Sequence, residues 1–426
     1  MKQDKERAML IGLGVKQKEP MTEEMLDELA ELAQTAGAIV ECRAVQNLPR
    51  PERSTYLGSG KAEELAALAA ELELDLVIFN TGLSPSQLSN LNKIFPCRVI
   101  DRNQLILDIF ASRARTSEGK LQVELAQLSY MLPRLIGQSE HLSRQGGSAA
   151  GGIGTRGPGE TKLETDRRIL RNRIRALHDE MDQVRKQRVV ERRGRQRLKI
   201  PTAALIGYTN AGKSTLMNAL TEKDFYVADQ LFATLDIVTR EMYFADGRSA
   251  LISDTVGFIR DLPTHLIAAF RATLEELAEA DVLLHVVDIS ADHYLEQMQA
   301  VRKILDELKN ERPILHVFNK ADLANAGIIE HARREFEMSV AISAKTGEGL
   351  DDLRLLMQQM LYNSSRRYKI LLPYQQGALL QRIYNEAFIL NRQDVASGVE
   401  LELESDAVLA ERLAPYLINE AVVYVQ

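Results

Sequence analysis

The stretch ALIGYTNAGKST, residues 204–215, decides the fold. Within it, Gly207 and Gly212-Lys213-Ser214 satisfy G-x-x-x-x-G-K-S. An apolar run precedes it and a helical pattern follows, which is the strand–loop–helix context of a phosphate-binding loop. Glycines let backbone N–H groups curl around phosphate oxygens, the lysine reaches the outer phosphates and the serine hydroxyl is placed for Mg²⁺. The helix N-terminus adds unsatisfied donors and a favourable dipole. Residues 207–215 (Gly207, Tyr208, Thr209, Asn210, Ala211, Gly212, Lys213, Ser214, Thr215) are therefore the first expected nucleotide contacts.

Three further motifs follow in order. ISDTVGFIR, residues 252–260, fits D-x-x-G with Asp254, Thr255, Val256 and Gly257. Asp254 ends a strand pattern, where its carboxylate can act on the Mg²⁺ side, and Gly257 supplies a backbone N–H to the γ-phosphate. VFNKAD places Asn319, Lys320 and Asp322 at a strand end. A carboxylate at Asp322 can accept from both donors on the guanine edge. Adenine would leave it unpaired, at a cost of about 1–3 kcal/mol. Lys320 is expected over the base and Asn319 against the phosphate loop. ISAKTG adds Ser343, Ala344 and Lys345 as the loop facing guanine O6. The ordered set predicts a GTP site. Its Mg²⁺ shell needs a threonine between the loop helix and Asp254. Thr221, Thr234 and Thr239 are candidates, and the mid-segment Thr234 fits best. Lys213, Thr234 and Gly257 are the expected catalytic groups, with Ser214 and Thr234 on the metal.

Phe258 stands where many GTPases carry a glutamine that orients the attacking water. Phenylalanine offers no such hydrogen bond. Positioning must then come from backbone groups, a rearranged switch or a partner, and slow intrinsic hydrolysis is expected.

Outside this region the chain changes character three times. Residues 1–115 alternate strand and helix patterns, as in parallel α/β units. Residues 116–199 carry two apolar seams, Leu121, Leu125, Leu128, Leu132, Leu135 and Leu170, Ile174, Leu177, Met181, Val184. Their alternating spacings of three and four suit a short antiparallel coiled coil, with an ordinary helix bundle as the alternative. A glycine-rich loop, 146–160, joins them, and Pro133 should bend or break the first helix. Residues 200–363 form the expected Ras-like domain with a mostly parallel sheet, entered through a linker at 194–201. Residues 366–426 form a small α+β domain with strands at YKILLPY, GVELELE and AVVYV. The expected class is α/β throughout the two larger domains.

The net charge is −7, yet residues 165–199 hold thirteen Lys/Arg against five Asp/Glu. That segregation suits a nucleic-acid backbone better than internal pairing. Arg144, Arg156, Arg167, Arg168 and Arg171 are the candidate RNA contacts. The two cysteines, Cys42 and Cys97, sit in no metal or disulfide pattern. No run approaches the roughly 20 apolar residues of a membrane span. A monomer in the cytoplasm is expected, with peripheral membrane association left open.

The segments GGIGTRGPGETKLETDRR (151–168), GYTNAGKST, DQLFATLD (229–236) and DTVGFIR together resemble the HflX family of ribosome-associated GTPases. The likeness extends to YLGSGKAEEL (56–65) and VIDRNQLILDIFASRARTSEGKLQVELAQL (99–128), and is weakest over the C-terminal 60 or so residues. It implies binding to the large ribosomal subunit and its rRNA, GTP hydrolysis stimulated there, and separation or rescue of stalled ribosomes under stress. It also implies that Thr234 is the switch I threonine, with Phe232 and Ala233 beside it at the nucleotide. Ile237 departs from the proline common in the family, and GSAAG (147–151) lengthens the loop. Asn210 resembles the P-loop asparagine of potassium-activated GTPases, in which K⁺ replaces an arginine finger; a purely loop-stabilising role is the alternative.

Two look-alikes compete. Gly152-Ile-Gly154-Thr-Arg-Gly157 spells G-x-G-x-x-G without the βαβ context that a dinucleotide site needs. GSGK at Gly58–Lys61 lacks the first glycine of a phosphate loop, so a strand–helix turn is favoured over an N-terminal ATP site. Rival functions are a ribosome-assembly GTPase, a P-loop kinase and an ATP-driven RNA-remodelling enzyme.

Overall fold

The structure is a computed structural model. It describes residues 5–15, 23–145, 158–197, 200–221, 232, 238–255, 257–260, 277, 280–362, 366–405 and 407–418. Two compact units emerge. One holds 1–185 with 228–236 and 261–272, and the other holds the remainder.

In the first unit, β1 (Arg7–Val15) pairs in parallel with β2 (Ile39–Leu48) and β3 (Leu76–Phe79), and β3 with β4 (Arg98–Asp101). The order is β2-β1-β3-β4. The run Leu76-Val77-Ile78-Phe79 is wholly buried, as suits an inner parallel strand. Edge strand β2 instead alternates exposed and half-buried residues. Helices α1 (Glu23–Thr35), α2 (Ser59–Glu71), α3 (Pro85–Ile94) and α4 (Arg102–Arg113) connect and follow the strands. Leu65, Ala66 and Leu91 pack on Met9, Val77 and Phe79. Each large side chain buried there contributes about 1.5–3 kcal/mol. Ser84 caps α3 in a reciprocal box with Gln87, which stabilises the helix start by roughly 1 kcal/mol. GSGK forms the start of α2, with Gly58 as its N-cap.

Helix α5 (Ser117–Gln145) runs unbroken through Pro133. Proline removes one helical N–H. Beside it, Arg134 donates Nη1–H to the Tyr130 carbonyl at 2.9 Å. Helix α6 (Pro158–Arg197) starts three residues inside the stretch expected to be loop and absorbs 194–197 of the expected linker. Pro158 suits that first position, because its missing N–H has no intrahelical partner anyway. Leu125, Leu177 and Met181 bury against one another, flanked by Leu121, Leu128 and Ile174. Arg173 bonds both Glu124 carboxylate oxygens, at 2.7 and 2.9 Å.

The second unit is built on a six-stranded sheet ordered β10-β9-β8-β5-β7-β6. Strands β5 (Thr202–Ile206), β7 (Ser249–Asp254), β8 (Val282–Asp288), β9 (Ile314–Asn319) and β10 (Ser339–Ala341) are parallel, as expected. Edge strand β6 (Val238–Tyr243) is antiparallel to β7 and was not anticipated. Its signal was the Asp246-Gly247 turn, with Gly247 at φ +87°, a hairpin dipeptide. The C-terminal sheet has order β11-β13-β12, from Arg366–Leu372, Gly398–Ser405 and Phe388–Val395. The expected strand AVVYV lies outside the described residues, and β12 is additional. Arg248 joins the two sheets of this unit. It pairs with Glu404 at 2.9 Å and lies 4.6 Å from the Tyr362 ring centroid.

Candidate nucleotide site

The phosphate loop leaves β5 at Gly207 and enters helix α7 (Lys213–Thr221). Gly207 has φ +151°, and a Cβ there would lie 2.2 Å from the Val286 carbonyl oxygen. Only glycine fits. Gly212, at φ +90°, is equally closed, because Asn319 Nδ2 sits 2.3 Å from where a Cβ would be. Asn210 takes the left-handed conformation at φ +61°, which asparagine tolerates better than most residues, and its side chain is exposed.

Asn319 ties the motifs together. Its Nδ2 donates to the Ala211 carbonyl at 2.9 Å, and its Oδ1 accepts from the Ala344 N–H at 2.9 Å. One buried amide thus braces the phosphate loop against the Ser343–Lys345 loop. Ser343 is buried and its hydroxyl accepts from the Thr346 N–H at 3.2 Å. Lys320 pairs with Asp288 at 2.7 Å. Asp322 sits on the exposed face of a short 3₁₀ turn, Ala321–Leu323.

Lys213 is buried. Its amine donates to the carbonyls of Gly207 (3.1 Å) and Tyr208 (2.8 Å). Burial pulls its pKa down to about 8, against the Asp254 carboxylate, which raises it. Ser214 donates its hydroxyl to Asp254 Oδ2 at 2.8 Å. The two groups expected on the Mg²⁺ side are therefore adjacent. The Thr255 hydroxyl donates to the Leu205 carbonyl at 2.6 Å and serves the sheet.

Phe258 forms a parallel bridge with Tyr208. Thr209 N–H donates to the Phe258 carbonyl at 2.7 Å, and Phe258 N–H to the Gly207 carbonyl at 3.0 Å. The Arg260 N–H then donates to the Tyr208 hydroxyl at 2.8 Å. The segment around Gly257 is zipped to the phosphate loop. Tyr208 and Arg260 were not expected to make this contact; an aromatic with a polar tip inside a phosphate loop was the available signal.

Phe232 belongs to the first unit. Its buried ring meets Phe110 edge-on at 4.7 Å. Ala233, Thr234 and Val256 lie outside the described residues, as does Arg156. Arg167, Arg168 and Arg171 lie on α6, with Arg168 and Arg171 exposed; Arg144 lies on α5.

Four family models match consecutive segments: GTP-binding GTPase N-terminal (23–111), GTP-binding GTPase middle region (113–195), 50S ribosome-binding GTPase (202–320) and HflX C-terminal domain (327–418). GTPase HflX of Caldanaerobacter subterraneus is 43% identical over 98% of this chain and 95% of its own. The chain belongs to the HflX family of GTPases. GTPase HflX of Alkalihalophilus pseudofirmus is 47% identical (95% of this chain, 94% of its own) and that of Escherichia coli 44% (89% and 88%). The C-terminal stretch, weakest in motif likeness, is thus within the HflX match. A GTP-binding protein of the archaeon Sulfolobus solfataricus, solved with GDP, aligns with TM-score 0.45 and 24% identity, covering 84% of this chain and 99% of that one. As an HflX-family member this chain is a GTP hydrolase. No described helix is long and apolar enough to cross a membrane.

Proposed function

We propose that this GTPase binds the large ribosomal subunit and couples GTP binding and hydrolysis to ribosome dissociation or rescue under stress. The carrying observation is the match of 202–320 to a family model described as a 50S ribosome-binding GTPase, on a chain whose neighbouring helix α6 is strongly basic. Exposed Arg168 and Arg171 would meet rRNA phosphates. A ribosomal partner places the working compartment in the cytoplasm.

At the nucleotide, Lys213 would exchange two loop carbonyls for phosphate oxygens. Asp322 would take the guanine edge, and Lys320 would lay its methylene stem over the base with its amine on Asp288. Ser214 and Asp254 offer only oxygens, the donor set that Mg²⁺ prefers, so the site fits that ion, with Thr234 as a further ligand. When bound, Mg²⁺ supplies charge neutralisation at the phosphates. Asn210, exposed in the loop, would help hold K⁺ in the role of an arginine finger. With Phe258 unable to orient water, basal hydrolysis is slow and the ribosome stimulates it.

Sedimentation with separated ribosomal subunits tests this reading. Co-migration with large subunits should require a non-hydrolysable GTP analogue and fade in GDP. Binding to precursor particles but not mature subunits would replace it with an assembly role.

A further inference from the structure

Past the ends of β5 and β7, parallel pairing continues at the Tyr208–Phe258 bridge. Phe258 N–H donates to the Gly207 carbonyl at 3.0 Å, and Thr209 N–H donates to the Phe258 carbonyl at 2.7 Å. In a parallel ladder the next donor lies two residues along the same strand. Here that donor is the Arg260 N–H, and the regular pattern would take it to the Thr209 carbonyl. It donates instead to the Tyr208 hydroxyl at 2.8 Å. The Tyr208 side chain thus supplies the rung at the point where the backbone turns into the phosphate loop. Its ring is buried, which confines the hydroxyl to that place.

The same residue meets the phosphate-binding lysine. The Tyr208 carbonyl accepts from the Lys213 amine at 2.8 Å. That amine lies 3.1 Å from where a Cβ on Gly257 would stand. One end of Tyr208 therefore locates Lys213, and the other locates the chain three residues beyond Gly257. Lys213 and Gly257 are the two groups expected on the terminal phosphate. A segment held by fewer hydrogen bonds opens locally more often. Loss of the Tyr208 rung would leave the backbone after Phe258 free to peel from the loop.

We propose that Tyr208 is a positioning residue for hydrolysis. Its hydroxyl pins residues 258–260 to the phosphate loop and so presents the Gly257 N–H to the terminal phosphate. Tyr208 acts through Gly257, and the GTP-site reading above underlies its role. Phe258 contributes its backbone to this arrangement, and the tyrosine beside it contributes the side-chain hydrogen bond.

Tyr208→Phe in the full chain tests this, because it keeps the ring and the carbonyl and removes the hydroxyl alone. Affinities for GDP and for a non-hydrolysable GTP analogue, single-turnover hydrolysis at saturating GTP, and amide exchange at 257–260 are compared with wild type. The variant should lose affinity for the analogue on the order of fivefold more than for GDP, the worth of one hydrogen bond. Hydrolysis should slow by a similar factor, and exchange at 257–260 should quicken. An unchanged ratio of the two affinities would overturn the proposal, and so would an unchanged rate of hydrolysis. Equal loss of both nucleotides would also overturn it, by making the hydroxyl a contact of the fold alone. Wild-type chain that fails to bind GDP would instead overturn the underlying GTP-site reading.

Discussion

Thr209 donates its backbone N–H to the Phe258 carbonyl oxygen at 2.7 Å, and Phe258 returns its own N–H to Gly207 at 3.0 Å. The parallel ladder between β5 and β7 is thereby carried past both strand ends into the nucleotide site. Gly257 has Thr209 on one side and the Lys213 amine nearby, with no room for a methyl group. Gly257→Ala should therefore weaken binding of a non-hydrolysable GTP analogue at least about tenfold while GDP binding persists. That follows from the clash falling at the terminal-phosphate end. Equal loss of both nucleotides would count against it. Phe258→Gln should not create a working glutamine. It buries an amide at a 2% exposed position and should cost about 1–3 kcal/mol in a denaturant titration.

Lys213 carries a pH dependence. Its amine titrates near about 8 without nucleotide, because burial disfavours the charge. Bound phosphates favour the charged form and raise that value. Affinity for GDP should be flat below this pKa and fall by up to about tenfold per pH unit above it. Calorimetry at about pH 8.5, in buffers of different ionisation enthalpy, should show uptake of more than about half a proton. Binding without proton uptake there would contradict the assignment.

His285 and His316 face each other across β8 and β9, with their Nδ1 atoms 3.2 Å apart. Burial is the main cause that pulls His285 down to about 3 and His316 down to about 4. Both folded values lie below the unfolded value near about 6.5, so the unfolded chain binds more protons between them. Stability from this pair is complete above that value and lost as pH falls toward 4. Near pH 5 the pair adds a slope of up to about 2.7 kcal/mol per pH unit. His316→Phe, which keeps a ring against Phe318 and Phe336, should remove about one proton from that linkage. An unchanged acid-unfolding slope would refute this.

In the first unit, Asp101 is fully buried and accepts from Arg134 (2.9 Å), Tyr130 (2.7 Å) and the Leu83 N–H (2.9 Å). Arg134→Leu removes the only cation bonded to it among the described residues. The buried charge left behind should cost about 3–5 kcal/mol, read as faster amide exchange in β3 and β4. The double change with Asp101→Asn should recover part of the loss. If the single variant exchanges like wild type, the network has no stabilising role.

Much of this molecule was legible in order along the chain. The parallel strands announced themselves because both faces are buried, which leaves uninterrupted apolar runs such as LVIF and VLLHVVD. The phosphate loop was legible because its glycines answer a local backbone demand. β6 was missed because an edge strand at a sheet border need not be apolar, and its burial pattern is mostly half-buried or exposed. Of the two outcomes expected at Pro133, a bend or a break, the break does not occur, because helix packing outweighs the loss of one hydrogen bond.

What sequence alone determined was the order of the GTPase motifs and the absence of a glutamine at Phe258, since those depend on residue type and order. Tertiary structure decided how those groups are spent. It gave the Thr255 hydroxyl to the sheet, the Asn319 amide to two loops and the Phe232 ring to Phe110, and left the Thr209 hydroxyl buried and unpaired. Hydrogen bonds between residues fifty or a hundred positions apart have no periodicity to betray them. They exist only once one sheet has gathered β9, β8, β5 and β7 in that order.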